Sequence, residues 1–222
     1  MMSITINLNN AKALVDDVIQ LMSNNKVKHE VKERLKEFLL IKNSNEKRWF
    51  LELCFCILAA NFNAQRAWYL ANRLFETGII FNGTIEQIAQ LLRNGGHRFW
   101  KIRSSYIAEA KKYLGKLKST ILSMRPEIAR KWLVKNIKGI GLKEASHFLR
   151  NVGVSFEFAI LDRHILRTLA NYKIISFIPK RLSERIYLEI EKAFKKISRM
   201  LSITPAELDL YLWYMQTGIV FR

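Results

Sequence analysis

Only three prolines interrupt the 222 residues, at positions 126, 179 and 205, so long stretches of the chain hold no obstacle to a helix. Within those stretches apolar residues recur at spacings of three and four. Trp68, Ala71, Leu74 and Phe75 fit one helical face, and Ile186, Ile190, Ala193, Phe194 and Ile197 fit another. Start signals agree with the periodicity. Asn43-x-x-Glu46 and Thr84-x-x-Gln87 have the form of capping boxes. Thr204-Pro205-Ala206-Glu207 supplies a cap, a proline at the first helical position and a glutamate at the third. The pattern predicts an all-α protein. The best strand signal, Ile174 to Ile178, reads equally well as an extended loop.

Half the residues are hydrophobic, enough for a sizeable core. Lys and Arg number 37 against 19 Asp and Glu, a net charge of +18. A surplus that large spreads positive potential over much of the surface. It favours a polyanionic partner, nucleic acid first and an anionic membrane as the weaker alternative. No apolar run approaches the ~20 residues of a membrane span. Met1 to Asn10 lacks the basic start and apolar stretch of a signal peptide. A soluble cytoplasmic protein with no membrane partner is expected. The two cysteines, Cys54 and Cys56, are two apart in an apolar run. On a helix they point to different sides, so buried free thiols are expected. Two thiols also cannot build a four-cysteine cluster.

The most informative segment runs from Leu133 to Arg150. A helical stretch leads into Gly139-Ile140-Gly141, and a second helix follows with Ala145, Phe148 and Leu149 on one face. Two glycines around one apolar residue make a tight turn, because a missing Cβ allows positive φ and close approach of backbone to a ligand. Ile140 can anchor the turn in the core. The new helix then offers unpaired N–H groups to a phosphate oxygen, which grips a DNA backbone without reading sequence. Arg98-Phe99-Trp100-Lys101-Ile102-Arg103 mixes basic and aromatic residues. It suits either phosphate binding with base stacking or a half-buried helix with a basic face.

Hydrophobic-Gly-hydrophobic-Gly, with Lys143-x-Ala145 two positions on at a helix start, resembles the helix-hairpin-helix DNA glycosylase superfamily. An apolar stretch, Phe156 to Leu161, is followed by Asp162-Arg163-His164. The run from Ile137 to His164 is similar to the archaeal-type, second-class 8-oxoguanine DNA glycosylases. So are Arg98-Phe99 and the C-terminal Leu208-Asp-Leu-Tyr-Leu-Trp-Tyr. The likeness extends from about Asn43 onward and leaves the first forty residues unmatched.

That resemblance implies two all-α lobes with a DNA cleft between them, residues 43–161 forming one lobe and residues 1–42 with 162–222 the other. It implies Lys143 as nucleophile and Asp162 as its acidic partner. Phe99 and Trp213 would sandwich the flipped guanine, and Gly139, Ile140 and Gly141 would hold the DNA backbone. It also implies a monomer acting on damaged double-stranded DNA at the nucleoid. No cofactor is required, although hairpins of this kind often hold a monovalent cation through main-chain carbonyls. Relatives end in a lysine near the base, whereas this chain ends in Val220-Phe221-Arg222. The main-chain carboxylate of Arg222 is therefore the expected acceptor for the proton that 8-oxoguanine carries on N7 and guanine lacks.

A lysine attacks the sugar only as the free amine, and a helix start disfavours added positive charge. Taken singly, Lys143 reads as a solvated surface charge and Asp162 as a helix cap. His97, His147 and His164 show no metal-ligand spacing, and His147, one turn after Lys143, suits either the site or the core. Two other readings stay open: a glycosylase for another oxidised base, and a hairpin module that binds DNA without cutting it.

Overall fold

The computed structural model describes residues 4–222, and these form thirteen α-helices. In chain order they are α1 (Ala11–Ser23), α2 (Asn25–Asn43), α3 (Glu46–Ala59), α4 (Ala64–Glu76), α5 (Ile79–Asn82), α6 (Ile85–Asn94), α7 (Trp100–Ala110), α8 (Leu117–Leu122), α9 (Pro126–Asn136), α10 (Leu142–Asn151), α11 (Arg163–Asn171), α12 (Glu184–Met200) and α13 (Pro205–Thr217). The all-α expectation holds. Among the described residues no helix is long and apolar enough to cross a membrane. The chain divides into two compact units, Leu40–Val154 and the combination of Met1–Leu39 with Ser155–Arg222.

The unit Leu40–Val154 is organised by α3. Trp49 to Ala59 are all buried, so beyond its first turn this helix presents no face to water. A helix apolar on every side must be surrounded, and α4, α7, α8 and α10 all pack on it. The ring of Trp49 meets the edge of Phe148 from α10 at 6.0 Å, and Phe55 meets Trp68 of α4 at 5.4 Å. Cys54 and Cys56 are fully buried free thiols, as expected. The buried charge of Glu52 is matched by Arg48 at 3.0 Å and by the Asn151 amide, which donates at 3.1 Å. Ala145, Phe148 and Leu149 seat α10 in this core.

Two local expectations shift. The cap of α3 is Asn45, whose side chain accepts the Arg48 N–H; Asn43 is instead the last residue of α2. An Asn two residues closer to the helix satisfies the first-turn amide directly. On α4 the buried stripe is Ala67, Leu70, Ala71 and Leu74, leaving Trp68 and Phe75 half-buried. Of the two rings, Trp68 still meets α3, through the edge contact with Phe55. Thr84 and Gln87 do form the reciprocal box, and Thr204 accepts the Glu207 N–H.

In the other unit α11 and α12 pack on α13, and α1 packs on both α12 and α13. Ile190, Ala193, Phe194 and Ile197 line the buried side of α12, with Ile186 at its edge. Residues 174–178 form no regular strand. Ile175 forms an isolated antiparallel bridge with Ile6, flanked by Asn7 N–H donating to the Ile174 carbonyl at 2.9 Å and Ser176 N–H to that of Thr5 at 3.0 Å.

Because Phe148 ties α10 to α3, Phe148→Ala is expected to destabilise the protein by about 3–5 kcal/mol, the cost of a large core cavity. Urea unfolding of the two proteins measures it, and a loss under 1 kcal/mol would contradict this packing.

Candidate active site

Within the unit Leu40–Val154, the hairpin is set by one strained residue. Gly139 has φ +82°, and a Cβ there would meet Tyr106 Cδ2 at 2.5 Å and an Arg103 guanidinium nitrogen at 2.7 Å. Both the left-handed backbone and the tight approach demand glycine. Ile140 is buried and fixes the turn, as its position between the glycines suggested. Gly141 behaves differently from the expectation. Its backbone is extended (φ −99°), and its N–H donates to the Glu144 carboxylate at 3.2 Å. Glu144 thus takes up one amide that had been assigned to a phosphate. Among the described residues the amides of Leu142, Lys143 and Glu144 have no acceptor. These three, at the start of α10, form the available anion-binding end.

Lys143 is the second residue of α10, and its side chain is 21 % exposed. Its Nζ lies 3.6 Å from Glu144 Oε1. The amine is therefore held near the surface beside the anion-binding turn, with an acid next to it. His147, one turn further on, is buried with its ring 5.2 Å from that of Phe55, so it belongs to the core.

Arg103 was not legible as a site residue, yet it links the hairpin to the rest of this unit. It is buried, and its guanidinium donates to the Ala60 carbonyl at 3.1 Å and to that of Gly139 at 3.5 Å. Its charge is fixed by main-chain oxygens, which carry no sequence signal. Phe99 precedes α7 and is 36 % exposed, so its ring is open to solvent. The Arg98 guanidinium sits 4.5 Å above its ring and donates to the Asn61 carbonyl at 2.5 Å.

The remaining candidates lie in the second unit. Asp162 caps α11, and its Oδ1 accepts the Ile165 N–H at 2.9 Å. That bond fixes the carboxylate rigidly. Trp213 on α13 is half-buried, with the His164 ring 4.7 Å away at a steep angle and Phe221 at 6.4 Å. Its indole N–H is buried without a hydrogen-bond acceptor. Arg222 is buried. The structure thus groups Phe99, Gly139, Ile140, Gly141 and Lys143 in one unit, and Asp162, Trp213 and Arg222 in the other. Among the described residues no cluster of three or more His, Cys, Asp or Glu could hold a metal ion.

A glycine hairpin anchored by a buried side chain, opening a helix with free amides, is suited to hold an anion such as a phosphate. The sequence model of the family described as 8-oxoguanine DNA glycosylase matches residues 31–203. A protein of Methanocaldococcus jannaschii named 8-oxoguanine DNA glycosylase/AP lyase is 43 % identical over 205 residues, covering 92 % of this chain and 97 % of its own length. A protein of the same name from Thermotoga maritima is 40 % identical over 191 residues, covering 86 % and 90 % respectively. The crystal structure of the Methanocaldococcus jannaschii glycosylase/lyase with a 15-mer DNA containing 8-oxoguanine superposes with a TM-score of 0.89 at 41 % identity, over 95 % of this chain and all of that one. The Thermotoga maritima 8-oxoguanine DNA glycosylase gives 0.87 at 36 % identity, over 97 % of this chain and all of that one. The chain belongs to the helix-hairpin-helix 8-oxoguanine DNA glycosylase family.

Gly139→Ala tests the turn. With positive φ and no room for a methyl group, the variant is expected to lose roughly 1–3 kcal/mol of stability. Its affinity for undamaged duplex should also fall, because the turn aims the amides of α10. Thermal unfolding and a salt-dependent DNA titration read the two effects, and a variant normal in both would remove the hairpin from the site.

Proposed function

We propose that this chain excises 8-oxoguanine from double-stranded DNA and then cleaves the strand at the resulting abasic site, with Lys143 as nucleophile. The observation that carries the reading is the position of Lys143 at the start of α10, directly after the Gly139 turn and beside free main-chain amides. Relatives that match over nearly their whole length bear the name of that activity. They argue against the binding-only module and against a glycosylase for another base. The large positive charge supplies attraction to the duplex. We further propose that the protein acts as a monomer on the cell's DNA.

The chemistry follows from the residues. The target nucleotide leaves the stack at a cost of a few kcal/mol. The lone pair of Lys143 Nζ attacks C1′. The bond from C1′ to the base breaks, and the base leaves with that electron pair and gains a proton. The sugar ring opens to a Schiff base between Nζ and C1′. Loss of a proton from C2′ then drives β-elimination of the 3′ phosphate, and water releases the enzyme. Asp162, rigid through its cap, would stabilise the positive charge that develops on the sugar. Phe99 and Trp213 would stack on the extruded base, worth ~1–3 kcal/mol per base. With Arg98 over one face of Phe99, the base would take the other.

No step needs a cofactor. A sodium or potassium ion at the hairpin would have to use carbonyls other than that of Gly139, which already faces the Arg103 guanidinium at 3.5 Å.

Borohydride added to the protein with an 8-oxoguanine duplex should trap a covalent complex, absent for Lys143→Gln and for a normal-guanine duplex. A complex that survives Lys143→Gln would assign the nucleophile elsewhere. If the main-chain carboxylate of Arg222 accepts the N7 proton, a short C-terminal extension should lower the preference for 8-oxoguanine over guanine by about tenfold, the worth of one hydrogen bond to a charged group. Cleavage of a preformed abasic site should persist, and unchanged preference would rule out the carboxylate.

A further inference from the structure

We infer that His97 is the positioning residue of the base-stacking ring, holding the main chain of Phe99 through a neutral imidazole. The inference rests on the reading of Phe99 as the residue that stacks on the extruded base.

His97 is 1 % exposed and lies two residues before Phe99. Its Nδ1 accepts the Phe99 N–H at 3.2 Å. Its Nε2 lies 3.0 Å from the Leu58 carbonyl oxygen. An amide can only donate and a carbonyl can only accept, so the two contacts together require the neutral tautomer with the proton on Nε2. The ring face is covered by Phe62, with centroids 4.1 Å apart. A side chain spent on these contacts does not serve as a surface charge or a general base.

The contacts have a structural consequence. Phe99 has φ −106° and ψ 27°, outside the helix that it introduces, and its own side chain caps nothing. Its amide is instead held by the imidazole, and Trp100 N–H donates to the His97 carbonyl at 3.1 Å. The direction in which the half-exposed ring leaves the backbone is thereby tied to α3 through the Leu58 carbonyl.

Second protonation would turn Nδ1 into a donor aimed at another donor and break the Phe99 contact. The charged groups that face the ring all oppose it: Arg103 from α7, Arg98 from the turn before α7 and Arg66 from α4. Burial, the largest effect, and these three cations hold the imidazole below the ordinary histidine range, against the contrary pull of the Leu58 carbonyl. The arrangement keeps Phe99 in place at neutral pH and releases it in acid.

Two substitutions separate the ring's two contacts. The oxygen of Asn falls near Nδ1, so His97→Asn keeps an acceptor for Phe99; the amide of Gln falls near Nε2, so His97→Gln keeps only the donor to Leu58. Single-turnover excision of 8-oxoguanine is measured beside cleavage of a preformed abasic site, where no base is stacked. His97→Gln is expected to lower the ratio of excision to cleavage by roughly tenfold, the scale of one stacking contact. His97→Asn should hold the ratio within about threefold of the parent, since its hydrogen bond survives. In acid the parent's ratio should fall while that of His97→Asn stays flat. Phe99→Ala should lower the ratio by itself, and adding His97→Gln to it should cost nothing more.

An inert Phe99→Ala overturns the stacking reading and the inference with it. An active-site effect of Phe99→Ala with an unchanged ratio in His97→Gln overturns the positioning role alone. Equal loss in both activities for both His97 variants assigns the residue to stability, and overturns it as well.

Discussion

Beyond its first turn, helix α3 has no face turned to water, and the unit Leu40–Val154 follows from that. Water must be excluded along its full circumference, so other helices have to close around it. Its buried acid, Glu52, is satisfied by Arg48 and Asn151. Phe148 then seats α10 against the same helix. The helix carrying Lys143 is thus positioned by a hydrophobic core as well as by the anchored turn that precedes it. A side chain on a core-anchored helix keeps its place when a ligand arrives.

The hairpin shows a division of labour between its two glycines. Gly139 carries the strained conformation, while Gly141 serves as an ordinary helix cap whose amide is taken by Glu144. The same carboxylate lies beside Lys143 Nζ. Glu144 therefore joins the turn to Lys143, and a single side chain both stabilises the helix start and lies beside that amine. Arg103 performs the matching task on the other side, holding Gly139 and Ala60 by their carbonyls.

Much of this was legible in the sequence, and the illegible part has a common cause. The helical periodicity, the boxes at Thr84 and Thr204, the glycine turn and the α10 core face are all patterns of side chains. They show in the residue string because side-chain type and spacing define them. His97 and Arg103 are different. Their partners are the carbonyls of Leu58, Ala60 and Gly139 and the amide of Phe99, groups that every residue carries and that only the folded backbone brings near. The stripe on α4 misled by one position for a related reason. Large rings mark a face in sequence, but the buried stripe runs through Ala67 and Ala71, whose smallness is a weak signal. Asn43 and Asn45 are equivalent as letters, and where the preceding helix ends decides between them.

The two thiols of α3 acquire a meaning once the substrate is considered. 8-Oxoguanine accumulates when oxidants reach DNA, so a protein that removes it has to stay intact in the same chemistry. Sulfur is attacked as the thiolate, and burial pushes both Cys54 and Cys56 away from that form while denying peroxide any approach. Among the described residues no third thiol is available for a regulatory disulfide. Both thiols therefore sit where an oxidant in solution does not reach the sulfur.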